Sequence, residues 1–195
     1  MPVRSARLES DSGRLDMDRL QGRKGHALLA LVGLPGSGKS TVGRQLARRL
    51  DLPYVDADHA MEQRLGCSIR EFFEREGEAR FRDIESDVLD ELTRQHPGVL
   101  STGGGAVLRA ENRQILRERT QVFYLRCSPE EIYRRLRHDK GRPLLQVADP
   151  LAKLRDLLAQ RDPLYREVAH HIIESPKPTI SGLVQQILHC VANAT

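Results

Sequence analysis

Gly33-Leu34-Pro35-Gly36-Ser37-Gly38-Lys39-Ser40 decides how the rest of this chain is read. It fits G-x-x-x-x-G-K-[ST], a loop whose backbone N–H groups converge on phosphate oxygens. Ahead of it runs Ala27-Leu28-Leu29-Ala30-Leu31-Val32, an unbroken apolar stretch of the kind a buried parallel strand requires. Behind it, residues 41–50 place Val42, Leu46 and Leu50 at i, i+4 and i+8, which is one face of a helix. Strand, glycine-rich turn and helix in this order add the positive end of the helix dipole to the donors of the loop. Gly36, Ser37, Gly38, Lys39, Ser40 and Thr41 are therefore expected to hold the phosphates of a nucleoside triphosphate. Lys39 is expected to reach the outer phosphates, and Ser40 to hold Mg²⁺ through its hydroxyl.

Composition narrows the setting. The 195 residues fit one domain, and 39% hydrophobic content is enough for an ordinary core. No run approaches the ~18 apolar residues of a membrane span, so no membrane partner is expected. The net charge of +4 comes from arginines spread along the chain rather than blocked together, which argues against nucleic acid as a partner. Cys67, Cys127 and Cys190 match neither zinc nor disulfide spacing and read as reduced thiols of a cytoplasmic protein. Residues 1–25 are polar and basic, lack the apolar segment of a signal peptide, and are expected to form a disordered extension ahead of a single domain over residues 26–195.

The acids and glycines come next. Leu52-Pro53-Tyr54-Val55 reads as a second strand that delivers Asp56-Ala57-Asp58 at its carboxyl end, where ligands collect in open α/β sheets. Strand alternation would point Asp56 and Asp58 the same way; a turn with an N-cap is the plainer alternative. Ser68-Ile69-Arg70-Glu71 is a capping box. Residues 78–95 form a helix with Phe81, Ile84, Val88, Leu89 and Leu92 on one face, and Arg82 and Glu85 spaced as a surface ion pair would be. Residues 99–102 are a third strand ending in Gly103-Gly104-Gly105, where a ligand can approach the backbone with no Cβ in the way.

The second half is read on the same rules. A helix over 111–119 and a strand over 121–125 precede Ser128-Pro129-Glu130-Glu131, a second capping box. Its helix carries Arg134, Arg135 and Arg137 and runs into the basic His138-Asp139-Lys140-Gly141-Arg142-Pro143-Leu144-Leu145. This reads as a mobile lid at about 137–150, since a phosphoryl-transfer site closes against water; a solvated linker is the alternative. Arg142 is the candidate contact to the transferring group. A helix over 150–160 is expected to break at Arg161-Asp162-Pro163-Leu164-Tyr165. A fifth strand over 170–174 and a closing helix over 180–191 complete the pattern, with His170 and His171 structural.

Five stretches in this order, namely residues 33–40, Asp56-Ala57-Asp58, Phe81-Arg82-Asp83-Ile84-Glu85, Gly103-Gly104-Gly105, and Arg142-Pro143-Leu144-Leu145 with Arg161-Asp162-Pro163-Leu164-Tyr165, resemble the shikimate kinase family of P-loop proteins over about residues 26–190. The resemblance implies a three-layer α/β/α sandwich with a five-stranded parallel sheet, and a monomer that phosphorylates the 3-hydroxyl of shikimate with ATP and Mg²⁺. It implies that Asp58 contacts that hydroxyl and that Asp56 meets Mg²⁺ through water. By the same resemblance Arg82 and Arg161 clamp the substrate carboxylate, with Glu85 behind Arg82. Gly103, Gly104 and Gly105 then line the substrate ring, Arg142 reaches the ATP phosphates, and Arg135 lies near adenine. A gluconate-type kinase would keep the P-loop without the set of Asp58, Arg82, Gly104 and Arg161. A ligand sensor built on the same domain would be expected to have lost catalytic positions, and here every matched one is filled.

Overall fold

Leu28–Val32 (β1) is buried at all five positions because it lies at the centre of the sheet. The computed structural model describes residues 28–94, 97–137, 147–174 and 179–193. The expected extension, and Arg142 with most of the expected lid, lie outside them. The other strands are β2 (Tyr54–Asp56), β3 (Gly98–Ser101), β4 (Thr120–Leu125) and β5 (His171–Ile173). They line up as β2-β3-β1-β4-β5, and every pairing is parallel, as expected. Chain direction across the sheet reverses on either side of β1, which puts the binding crevice at its carboxyl end.

Alternation along β1 divides the core. Leu29 and Leu31 face a layer made by α1 (Lys39–Leu50) and α7 (Ile180–Asn193), together with Val42, Leu46, Val184 and Ile187. Leu28, Ala30 and Val32 face the opposite layer, where α4 (Ala110–Arg119), α5 (Pro129–Leu136) and α6 (Pro150–Val168) contribute Leu116, Ile132, Leu154 and Tyr165. These are the two outer layers of the expected sandwich. A smaller cluster of Met61, Phe72, Phe81 and Val88 joins α2 (Ala57–Leu65) to α3 (Ile69–Leu92) beside the β2 edge. None of the described helices is long and apolar enough to cross a membrane. The three cysteines are free thiols.

Three local expectations are corrected and one is borne out in detail. β2 starts at Tyr54, so Asp56 is its last residue and Asp58 falls on the first turn of α2; helix capping, not strand alternation, orients the pair. Ser68 caps α3 with the reciprocal Glu71 bonds expected, and non-helical Gly77 kinks it, so the two expected helices are present and meet end to end. At Ser128 the hydroxyl accepts from the Glu131 N–H, while the Glu131 carboxylate turns to Arg134 and Arg135, so this cap is one-sided. Helix α6 runs through Pro163 instead of breaking before it. Contacts on both sides of the proline hold it: Asp162 accepts from Tyr124 and Arg126, and Tyr165 is fully buried. Together these offset the ~3 kcal/mol that an interior proline costs.

Gly77 has φ 80° and ψ 172°, a region only glycine populates readily, and a Cβ there would meet nothing within 4 Å. Gly77→Ala is therefore expected to destabilise by backbone strain alone, by about 1–3 kcal/mol in urea unfolding. An unchanged midpoint would mean that α3 runs straight through this point.

Candidate active site

The P-loop leaves β1 and enters α1 through Gly38, whose φ of 98° is left-handed and favours glycine. At its tip Gly36 packs under α5: a Cβ there would lie 2.5 Å from Leu136 Cδ1. Lys39 is buried, and its ammonium donates to the carbonyls of Gly33 and Leu34, both at 2.9 Å. Ser37 is buried, with no hydrogen-bond partner for its hydroxyl among the described residues. Arg135 donates to Glu131 at 2.9 Å and lies beside the loop, its Nη1 at 3.5 Å from the Ser37 carbonyl. Thr41 is exposed on the first turn of α1.

Asp56 does two jobs. Its Oδ1 accepts from the backbone N–H of Asp58 at 3.1 Å and caps α2. Its Oδ2 accepts from the Ser40 hydroxyl at 2.9 Å and from the Tyr54 hydroxyl at 3.0 Å. Ser40 and Asp56 thus present hard oxygen atoms side by side at the mouth of the P-loop. Among the described residues no group of three His, Cys, Asp or Glu could hold a metal by itself. A cation here would complete its shell with phosphate and water oxygens, which suits Mg²⁺.

Asp58 faces Gly103 across the cleft. Confinement by surrounding protein, then the Asp56 carboxylate, push its pKa above the ordinary range, against the pull of Lys39. Water still reaches this side chain from the cleft, which moderates the effect.

The three glycines have a reason beyond ligand access. A Cβ at 103 would lie 2.7 Å from Asp58 Oδ1 and 3.2 Å from Glu85 Oε1, and one at 104 would lie 2.7 Å from Pro35 Cδ. One at 105 would overlap the Arg82 guanidinium, 2.5 Å from Nη1. Side chains of α2, α3 and the P-loop therefore all pack directly on this backbone.

Arg82 and Glu85 are not the surface pair their spacing suggested. They meet at 2.6 Å with only 13% and 8% of their side chains exposed. Burial pushes the Glu85 carboxyl above the usual range, and Arg82 opposes that shift. Arg82 also donates to Glu78 from Nη2 at 3.1 Å. From the far side, Arg161 and Tyr165 on α6 both donate to the carbonyl of Gly104, at 3.1 and 2.6 Å. Burial raises the Tyr165 hydroxyl to about 12, so it stays a donor.

Asp58, Arg82 and Arg161 come together at residues 103–105, which Pro35 joins to the P-loop, and Asp56 meets Ser40; Gly36, Gly38 and Thr41 lie on the loop and the first turn of α1 without a described contact to residues 103–105. Sequence reasoning missed Glu78, Tyr54 and Tyr165. Glu78 and Tyr165 stand four positions from Arg82 and Arg161 on the same helices, the spacing that could have flagged them. Tyr54 stands two before Asp56 on a strand, hence on its side of the sheet.

The raised pKa of Asp58 makes a stability prediction. A carboxyl whose folded pKa exceeds its unfolded value contributes stability at low pH that is lost as pH rises through the folded pKa. Asp58→Asn is thus expected to melt higher than the parent chain at pH 7. The gap should close towards the ordinary aspartate value of about 4. A lower melting temperature for Asp58→Asn at pH 7 would overturn this reading.

Comparison with known proteins bears on the same cleft. The shikimate kinase family model matches residues 35–192. A shikimate kinase from Paracidovorax citrulli is 61% identical over 160 residues, covering 80% of this chain and 87% of its own length. A solved structure, shikimate kinase from Acinetobacter baumannii in complex with shikimate, superposes with a TM-score of 0.84 at 45% identity, covering 92% of this chain and 98% of that one. A gluconokinase structure from Sinorhizobium meliloti shares the fold alone, at 17% identity and a TM-score of 0.57 over 88% of this chain and 95% of that one. With the family model spanning residues 35–40 of the P-loop, both acids, the glycine triplet and α6, this chain belongs to the shikimate kinase family.

Proposed function

We propose that this chain transfers the γ-phosphoryl group of ATP to the 3-hydroxyl of shikimate in the cleft between the P-loop and the glycine triplet. The observation that carries this is the convergence of Asp58, Arg82 and Arg161 around residues 103–105, facing the Lys39 end of the P-loop. The cleft has one phosphate-binding wall and one wall fit for a small anionic polyol.

The roles follow from chemistry. Arg82 and Arg161 offer planar, permanently charged groups to the substrate carboxylate, with the possibility of paired N–H bonds. Asp58 orients the 3-hydroxyl and takes up its proton as the oxygen attacks the γ-phosphorus; the bond to the β–γ bridging oxygen breaks and ADP leaves. Confinement raises its pKa, which makes it a stronger base than an ordinary aspartate. The Lys39 ammonium is already beside the loop and would exchange the Gly33 and Leu34 carbonyls for phosphate oxygens. Arg142 is assigned to the ATP phosphates from the lid. Mg²⁺, when bound, would neutralise phosphate charge; Ser40 would contact it directly and Asp56 through water. One chain supplies every group named, so a monomer suffices.

The decisive assay is ADP release with MgATP and shikimate, quinate or gluconate as acceptor. Turnover is expected to depend on shikimate. Turnover with gluconate alone would move the activity to the neighbouring kinases, and ATP binding without acceptor-dependent turnover would restore the sensor reading. Two variants test the assignments. Lys39→Ala and Asp58→Asn are each expected to lower kcat by 10²-fold or more, on the order of the loss of one transition-state contact, with the fold intact by circular dichroism. Arg161→Lys is expected to raise the shikimate KM more than the ATP KM, because lysine cannot bind in a paired geometry. Equal effects on both constants would place Arg161 with the nucleotide instead.

A further inference from the structure

We infer that Tyr54 is a positioning residue for the metal-facing edge of the nucleotide site, a role that rests on the Ser40 and Asp56 reading above. Two hydroxyls converge on one oxygen: Ser40 at 2.9 Å and Tyr54 at 3.0 Å from Asp56 Oδ2. The other oxygen, Oδ1, is taken by the cap of α2. The Ser40 hydroxyl has lone pairs to offer a cation while its O–H stays on Asp56 Oδ2. The Tyr54 hydroxyl is the second donor on Asp56 Oδ2, and with Ser40 it holds the carboxylate in one orientation toward a metal-bound water. Groups that orient a metal's direct or water-bridged partners commonly change metal affinity about 10–100-fold.

A second observation supports this placement. The Tyr54 ring is wedged against α1 at Gly43, where a Cβ would lie 2.7 Å from Tyr54 Cε2, and Arg44 stacks over the ring at 5.7 Å. Gly43 lies inside α1, where glycine costs about 1 kcal/mol relative to alanine. The helix gives up that stability at the one place where the ring enters. Packing alone would be met by phenylalanine; the hydroxyl donates to Asp56 and sits among Ser40 and Ser101.

The test measures ADP binding by calorimetry with and without Mg²⁺, in the parent chain, Tyr54→Phe and Ser40→Ala. In Tyr54→Phe the affinity for ADP alone and for shikimate is expected to be unchanged, and the Mg²⁺-dependent gain in ADP affinity to fall about tenfold. A full gain in Tyr54→Phe overturns the proposal. So does an equal loss with and without Mg²⁺, which would make Tyr54 a packing residue only. If the parent chain shows no gain with Mg²⁺, or Ser40→Ala keeps it, the metal reading itself fails, a result distinct from failure at Tyr54.

Discussion

The site depends on three consecutive residues that lack side chains. Residues 103–105 leave β3 at its carboxyl end, and their bare backbone is the floor on which Asp58, Pro35 and Arg82 rest. These side chains come from the P-loop and from the α2–α3 pair beside the β2 edge. A methyl group at any of the three positions would enter space already filled, at 2.7 Å or less from a neighbour. Because β3 lies between β2 and β1, the floor is also continuous with the strands that deliver Asp56 and the P-loop. Sheet order and glycine placement thus bring acid, cation and phosphate loop together without a long-range rearrangement.

Electrostatics in the cleft run against stability in a patterned way. Asp58 and Glu85 both have raised pKa values, and confinement by the surrounding protein is the leading cause in each. Glu85 answers Arg82 at 2.6 Å, and Lys39 and Arg82 act on Asp58 from either side. Removing one partner of such a pair leaves a buried charge unanswered, typically at a cost of about 3–5 kcal/mol. Surface pairs such as Arg70–Glu74, with both side chains about two-thirds exposed, contribute far less. Between these extremes, Arg109–Asp83 and Arg113–Glu167, with the arginine partly buried and the acid exposed, hold α4 to α3 and α6.

Most of this architecture was legible in the sequence because the signals were local. The P-loop spacing, the apolar run of β1 and the capping box at Ser68 each concern neighbours within a few residues, and each formed as read. Errors arose where distant contacts decided. Pro163 should end a helix on local grounds, yet Tyr124 and Arg126, nearly forty residues away, hold Asp162 in place beside it. The Arg82–Glu85 spacing says nothing of burial, which comes from the fold around Gly103 and Gly105. Tyr54 carried no motif; only the fold shows its hydroxyl on Asp56.

The paired donation of Arg161 and Tyr165 to the Gly104 carbonyl also sets an order in time. These donors follow their acceptor by 57 and 61 residues. A nascent chain that has already exposed the P-loop, both aspartates, Arg82 and the glycine triplet still lacks the groups that fix the Gly104 peptide. The Gly104 peptide is therefore among the last parts of the cleft to be fixed, once α6 is present. The phosphate loop waits on the same half of the chain, because Gly36 packs against Ile132 and Leu136 and Gly38 lies beside Arg135 and Ile180.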